Sequence, residues 1–174
     1  SLRVNNSPGL IDAVAMGQLD IAVVNVYHKP ESLHVLYQKI LEYVCLLPED
    51  HPLAKSGGPI DLQTLKESEC VAYDTTRLQS AESNWMKLLS WPQASLSAYS
   101  NIAVASLGCA TGKPAIVDPY TARTMVALGG VTSRPISQRL TSTLYVVARS
   151  IDTLSLAARE LADAVITQLK QSVH

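Results

Sequence analysis

Short apolar runs alternate with helix-starting clusters along this 174-residue chain, and this alternation limits the folds that the chain can adopt. The run Ile21-Ala-Val-Val24 contains no polar residue, which is typical of a strand buried on both faces of a parallel sheet. It follows the pair Ser7-Pro8, in which Ser is a good N-cap and Pro suits the first helical position. A short apolar run at Leu2–Val4 precedes them. The order strand, helix, strand predicts an α/β fold built on parallel sheets.

The later part of the chain repeats this pattern. Strands are predicted at 70–73, 96–99 and 115–117, and each is followed by a cluster that can cap a helix. The clusters are Asp74-Thr75-Thr76, Ser100-Asn101 and Asp118-Pro119. A last strong strand is predicted at 144–147, and Asp152 is predicted to cap a closing amphipathic helix.

The charge balance argues against contact with nucleic acid. The formal net charge is −1 at pH 7, so the chain lacks the basic surplus that neutralises phosphates. No run approaches the roughly 18 apolar residues that a membrane span needs, and no signal peptide is visible. We therefore expect a cytoplasmic domain that contacts neither DNA nor membrane.

Cysteine and histidine positions indicate neither a disulfide framework nor a metal site. Cys45, Cys70 and Cys109 are far apart and odd in number, so we interpret them as small buried hydrophobic residues in a reducing compartment. The four histidines are scattered without ligand spacing, and no cofactor-binding motif occurs. The sequence predicts no metal and no cofactor.

Five segments resemble, in the right order, the effector-binding domain of LysR-type transcriptional regulators. They are Gly17–Val24, Pro48–Ala54, Ile60–Leu65, Gly112–Ala122 and Arg134–Ile136. The resemblance implies a type 2 periplasmic-binding-protein fold, in which two α/β lobes are joined by two crossing strands and the effector binds in the cleft. The first lobe is then expected at 1–47 plus 135–174, and the second at 48–134.

The resemblance also implies parts that this sequence does not contain. The family places a strand and a long helix before the segment equivalent to Leu2–Val4, and a DNA-binding winged helix-turn-helix before those. We expect the first lobe to be incomplete, with a gap between Leu2–Val4 and Ile21–Val24 that closes by direct pairing or by a strand from another chain. Self-association is expected of the full-length protein.

Candidate ligand-binding residues follow from the α/β pattern, because ligands collect where strand C-termini meet helix N-termini. They are Ser7, Asn25, Asp74, Thr75, Thr76, Ser100, Asn101, Asp118 and Tyr120. The alternative for each is that it only caps its own helix. The family resemblance favours Ser7 and the 74–76 turn as ligand contacts.

Asp118 suggests the chemistry of the effector. A carboxylate in the cleft repels a plain anion and suits an ammonium or guanidinium group. The string Val117–Ala122 also resembles the subgroup of these regulators that senses amino acids or opines, so we expect an amino-acid-like or carboxylate effector. The alternative is that Asp118 merely opens a turn before Pro119.

Three functions remain open from the sequence alone. The first is an effector-binding module that controls transcription, in which the ligand shifts a conformational balance. The second is a solute-binding receptor of a transport system with the same fold. The third is a small enzyme, which the absence of a nucleophile elbow or a metal-ligand motif disfavours.

Overall fold

The computed structural model describes residues 1–26, 28–65, 70–73 and 96–171. The chain divides into two compact units, Ser1–Leu41 with Ser142–His174, and Glu42–Thr141. In chain order the elements are α1 (Ser7–Ala15), β1 (Ile21–Val26), β2 (His34–Glu42), β3 (Val44–Pro48), α2 (Pro52–Lys55), a 3-10 turn (Leu62–Thr64), β4 (Val71–Tyr73), β5 (Leu96–Ala98), α3 (Asn101–Thr111), β6 (Ala115–Val117), α4 (Pro119–Leu128), β7 (Val131–Pro135), β8 (Thr141–Ala148) and α5 (Leu156–Gln171).

The first unit contains a three-stranded sheet in the order β1-β8-β2. β1 and β8 pair antiparallel from Ile21↔Ala148 to Val26↔Thr143. α1 packs against β1, where Val14 and Val24 are almost completely buried together with Tyr145. The apolar run predicts the strand itself, but the expectation of a strand buried on both faces of a parallel sheet is wrong. β1 is the terminal strand of this sheet, it pairs antiparallel with β8, and Val23 is 40% exposed.

Three further sequence expectations for the first unit are wrong. Leu2 and Val4 lie outside any strand and are 93% and 94% exposed, so this segment does not pair directly with β1. The N-cap of α1 is Asn6, not Ser7, because the Asn6 side chain accepts the Gly9 N–H at 2.9 Å. The closing helix α5 is capped by Ser155, whose Oγ accepts from Ala158 N–H at 3.2 Å, and not by Asp152.

The second unit contains a five-stranded sheet in the order β5-β4-β6-β3-β7. β4 runs parallel to both β5 and β6, whereas β3 runs antiparallel to β6 and β7. The core on one side includes Val104 and Ala105 of α3 and Ala122 of α4, packed on Leu46 and Val117. The parallel strands are the ones that position the candidate site.

The boundaries between the units differ from those expected from the sequence. The expected boundaries followed residue 47 and preceded residue 135, whereas the units divide after Leu41 and after Thr141. The reason is that β3 pairs with both β6 and β7, from Val44↔Pro135 to Pro48↔Val131. These pairings place residues 44–47 and 135 in the second unit, and Tyr43 N–H also bonds the Leu140 carbonyl oxygen at 2.9 Å.

Arg134 fixes the segment that follows β3. Its guanidinium group donates to the carbonyl oxygen of Ala54, at 3.1 Å, and to that of Gly58. Ile60 continues the attachment by forming a parallel bridge with Ile136. The N-cap of the 3-10 turn is Asp61, whose carboxylate accepts from Gln63 N–H at 2.9 Å.

The three cysteines differ in their exposure to solvent. Cys45 and Cys70 are fully buried, but Cys109 is exposed on α3, so the prediction of burial is wrong for that residue. Burial and, as the smaller cause, the nearby Cys70 raise the pKa of the Cys45 thiol to about 12. Neither of these two cysteines forms a disulfide.

Among the described residues, no helix is long and apolar enough to cross a membrane.

Candidate functional site

The candidate site of the second unit lies at the C-terminal edge of its parallel strands. The register pairs Tyr73 with Ala98 and Val71 with Ala115, so the ends of β5, β4 and β6 lie in one row. The chain leaves β5 at Ser100-Asn101 and leaves β6 at Asp118. The predicted residues Asp74, Thr75 and Thr76 follow β4 but lie outside the described residues.

The N-terminus of α3 has backbone N–H groups that are not hydrogen-bonded to described residues. Ser100 is the N-cap, as predicted, and its hydroxyl accepts from Ala103 N–H at 3.2 Å, while Val104 N–H bonds the Ser100 carbonyl at 2.9 Å. The N–H groups of Asn101 and Ile102 have no hydrogen-bond partner among the described residues. Two first-turn amides and the helix dipole therefore point to a place where an anion can bind.

Asn101 adds an acceptor at the same place. Its Oδ1 atom is buried and has no hydrogen-bond partner within the described part of the chain. A buried polar atom without a partner is costly, and most such atoms in folded proteins are paired with protein groups or bound water. The side chain is thus suited to accept from an N–H or O–H group of a bound molecule.

The N-terminus of α4 is arranged in the opposite way. Asp118 is only 7% exposed, and its Oδ1 accepts from the N–H groups of Tyr120 and Thr121, at 2.9 and 3.0 Å. Its Oδ2 accepts from the Thr121 hydroxyl at 2.6 Å. Pro119 has no N–H, and Ala122 N–H bonds the Asp118 carbonyl. The carboxylate of Asp118 therefore uses every first-turn donor of α4.

Tyr120 is half-buried in the first turn of α4. Its backbone N–H is committed to the Asp118 cap. The predicted residues Ser100, Asn101, Asp118 and Tyr120 are therefore brought to one sheet edge within the second unit.

Ser7 and Asn25 lie together in the first unit. Ser7 Oγ accepts from Asn25 N–H at 3.0 Å and donates to the Asn25 carbonyl oxygen at 3.1 Å. Of the first-turn amides of α1, Gly9 N–H is used by the Asn6 cap and Pro8 has none, which leaves Ser7 N–H. This end of α1 offers fewer free donors than α3.

Two contributing residues escaped the sequence interpretation. Ile102 contributes only a backbone N–H, which no side-chain pattern reveals. Asn6 caps α1, and its signal was the tolerance of Pro at the second helical position.

No group of three or more potential metal ligands occurs among the residues that the structure describes.

The comparisons with known proteins identify the family. Residues 1–170 match the LysR substrate binding domain family, so the chain belongs to that family. No curated protein sequence matches the chain.

Solved structures show the same fold at low sequence identity. HinK, a LysR family transcriptional regulator from Pseudomonas aeruginosa, is 17% identical over 96% of this chain, with a TM-score of 0.67. The Synechocystis PCC6803 CcmR regulatory domain, in complex with 2-PG, is 19% identical over 98% of this chain and 83% of its own length, with a TM-score of 0.70. The effector binding domain of QuiR, in complex with shikimate, is 20% identical over 91% of this chain and 76% of its own, with a TM-score of 0.68. The chain spans 59% of the length of HinK.

Proposed function

We propose that this chain is the effector-binding domain of a LysR-type transcriptional regulator and that it senses a small carboxylate, with an amino-acid-like compound as the preferred class. Family membership over residues 1–170 supports the regulatory role. Two structural neighbours, CcmR and QuiR, were solved with the small molecules 2-PG and shikimate. The role is that of a receptor and not of an enzyme, acting in the cytoplasm within a self-associating full-length regulator.

The observation that supports a carboxylate effector is the open N-terminus of α3. The N–H groups of Asn101 and Ile102 are free of partners among the described residues and lie at the positive end of an 11-residue helix. A carboxylate has two oxygens and can accept both bonds at once. Neither α1 nor α4 leaves as many first-turn donors unused.

The Asn101 side chain supports an amino-acid-like or hydroxy-acid effector over a plain acid. Its buried Oδ1 can accept only from a donor, and the ammonium or hydroxyl group next to the carboxylate of such a compound is a donor. The N-terminus of α3 thus offers two donors for a carboxylate and one acceptor for the neighbouring ammonium or hydroxyl group. Effector binding then shifts the conformational balance that the DNA-bound regulator reads out.

A thermal-shift screen tests the proposal. The chain is incubated with α-amino acids, hydroxy acids, plain carboxylates and uncharged sugars. A ligand at a hundredfold excess over its dissociation constant stabilises the folded state by about 2.7 kcal/mol, which raises the melting temperature by several degrees. Stabilisation by carboxylates and not by sugars supports the proposal. Stabilisation by sugars alone, or turnover of any compound, contradicts it.

A transport-type solute receptor with the same fold is the alternative function. The match to the LysR family favours the regulator.

A further inference from the structure

Asp118 has a buried carboxylate at the N-terminus of α4. Without this carboxylate, the free N–H groups of that helix end would attract anions. Three donors from Tyr120 and Thr121 surround the carboxylate, and the side chain is 7% exposed. An acceptor-only set of contacts is that of an ionised carboxylate. The negative charge of Asp118 therefore occupies the anion-binding end of α4.

The position of this charge relative to α3 follows from the sheet. β5 leads into α3 and β6 leads into α4, and β4 alone lies between these two strands. Because neighbouring strands are about 4.8 Å apart, the two helix N-termini begin about 10 Å from each other along the same edge. A short ligand whose carboxylate binds Asn101 and Ile102 N–H can direct its other end toward Asp118.

We propose that Asp118 selects effectors by charge: it excludes compounds with a second anionic group and favours those with a cationic group. This inference rests on the proposed function, because it takes the N-terminus of α3 as the binding place. It differs from a direct hydrogen bond between Asp118 and the effector, since the carboxylate is already committed to Tyr120 and Thr121.

The size of the effect follows from Coulomb's law. Two unit charges about 10 Å apart, at an effective dielectric constant of about 20, change a binding constant by roughly tenfold. The interaction with the Asp118 charge weakens the binding of a ligand with a second carboxylate and strengthens the binding of a ligand with an ammonium group. The effector class that this selects is a monoanion or a zwitterion.

The test uses three probes with equal chain length: propionate, malonate and β-alanine. Each is titrated into the isotope-labelled chain while the backbone amide signals of Asn101 and Ile102 are followed by NMR at constant ionic strength. In the natural chain, we expect malonate to bind about tenfold more weakly than propionate and β-alanine to bind more tightly. Equal affinity for malonate and propionate overturns the inference.

Asp118→Asn is the decisive variant. Asn is also a good N-cap, and its carbonyl oxygen can still accept from Tyr120 and Thr121 N–H, so the fold is kept while the charge is removed. We expect the discrimination against malonate to disappear. Thr121→Val is the matched control, because it removes one contact of Asp118 but keeps the charge, and it should discriminate as the natural chain does.

The outcomes separate the two proposals. If the Asn101 and Ile102 signals respond to the probes but the ratio of affinities is the same with and without the Asp118 charge, the charge selection is wrong and the α3 site stands. If those signals respond to none of the three probes, the α3 site is wrong, and the selection fails with it.

Discussion

The hydroxyl of Ser7 bonds both main-chain groups of Asn25, accepting from its N–H at 3.0 Å and donating to its carbonyl oxygen at 3.1 Å. Asn25 lies opposite Leu144 in the antiparallel pair of β1 and β8. Since neighbouring residues of such a strand direct their main-chain groups to opposite sides, Asn25 directs its groups away from β8. Ser7 thus satisfies one position on the outer edge of β1 and joins α1 to it.

Ser7→Ala should lower the free energy of unfolding by about 1–3 kcal/mol, because it removes two hydrogen bonds worth about 0.5–1.5 kcal/mol each. Urea unfolding of the two proteins measures the difference. Ser7→Thr keeps a hydroxyl and is the control. A change below about 0.3 kcal/mol in Ser7→Ala would show that water replaces the hydroxyl without loss.

Gly108 allows α3 to approach β6 closely. A Cβ atom at this position would lie 2.7 Å from Ala115 Cβ and 3.0 Å from the Lys113 carbonyl oxygen. Gly108→Ala should therefore destabilise the chain by about 1–3 kcal/mol, despite the better helix propensity of Ala. Gly57→Ala is the control, since nothing lies within 4 Å of its Cβ position. Equal melting temperatures for the two variants would refute the close packing.

Arg134 holds the segment after α2 through two carbonyl oxygens, those of Ala54 and Gly58. Lys cannot reproduce the two-pronged geometry of a guanidinium group. Arg134→Lys should therefore speed hydrogen exchange of the backbone amides between residues 54 and 60, while exchange in β8 stays the same. Unchanged exchange in that segment would mean that the Ile60–Ile136 bridge alone keeps it in place.

The contact between Asp61 and Gln138 predicts a dependence of stability on pH. The hydrogen bond from the Gln138 side chain, and then that from Gln63 N–H, lower the pKa of Asp61. A lowered folded-state pKa means that the contribution to stability is fully present above the unfolded value of about 3.9 and is lost as the pH falls through the folded value. Gln138→Ala should reduce this loss in denaturant titrations between pH 7 and pH 3. An identical pH profile in both proteins would remove Gln138 as the cause.

The α/β class could be predicted from the sequence because the signals for strands and helices lie within a few neighbouring residues. Apolar runs such as Ile21–Val24 and caps such as Ser100 and Asp118 act within a few residues and appear where expected. The family resemblance added the periplasmic-binding-protein-like fold, which the structural neighbours share.

Long-range relations were harder to predict. The pairing of β3 with both β6 and β7, which moves the unit boundary, joins residues far apart in the chain and leaves no local signal. The same is true of the candidate site. That Asp118 uses every first-turn donor of α4 while α3 leaves two free depends on hydrogen-bond geometry, not on residue type.

Calorimetric titration of the best carboxylate from the screen into three proteins tests whether the effector carboxylate binds at the N-terminus of α3. Asn101→Asp places a negative charge where the effector carboxylate is proposed to bind, and an acidic residue in a first helical turn leaves the helix stable. Ser155→Asp makes the same change of charge at the N-terminus of α5 and is the matched control. We expect the natural chain and Ser155→Asp to bind the carboxylate with similar affinity, and Asn101→Asp to bind it at least tenfold more weakly. Equal affinity in all three proteins would contradict this expectation and would place the effector elsewhere.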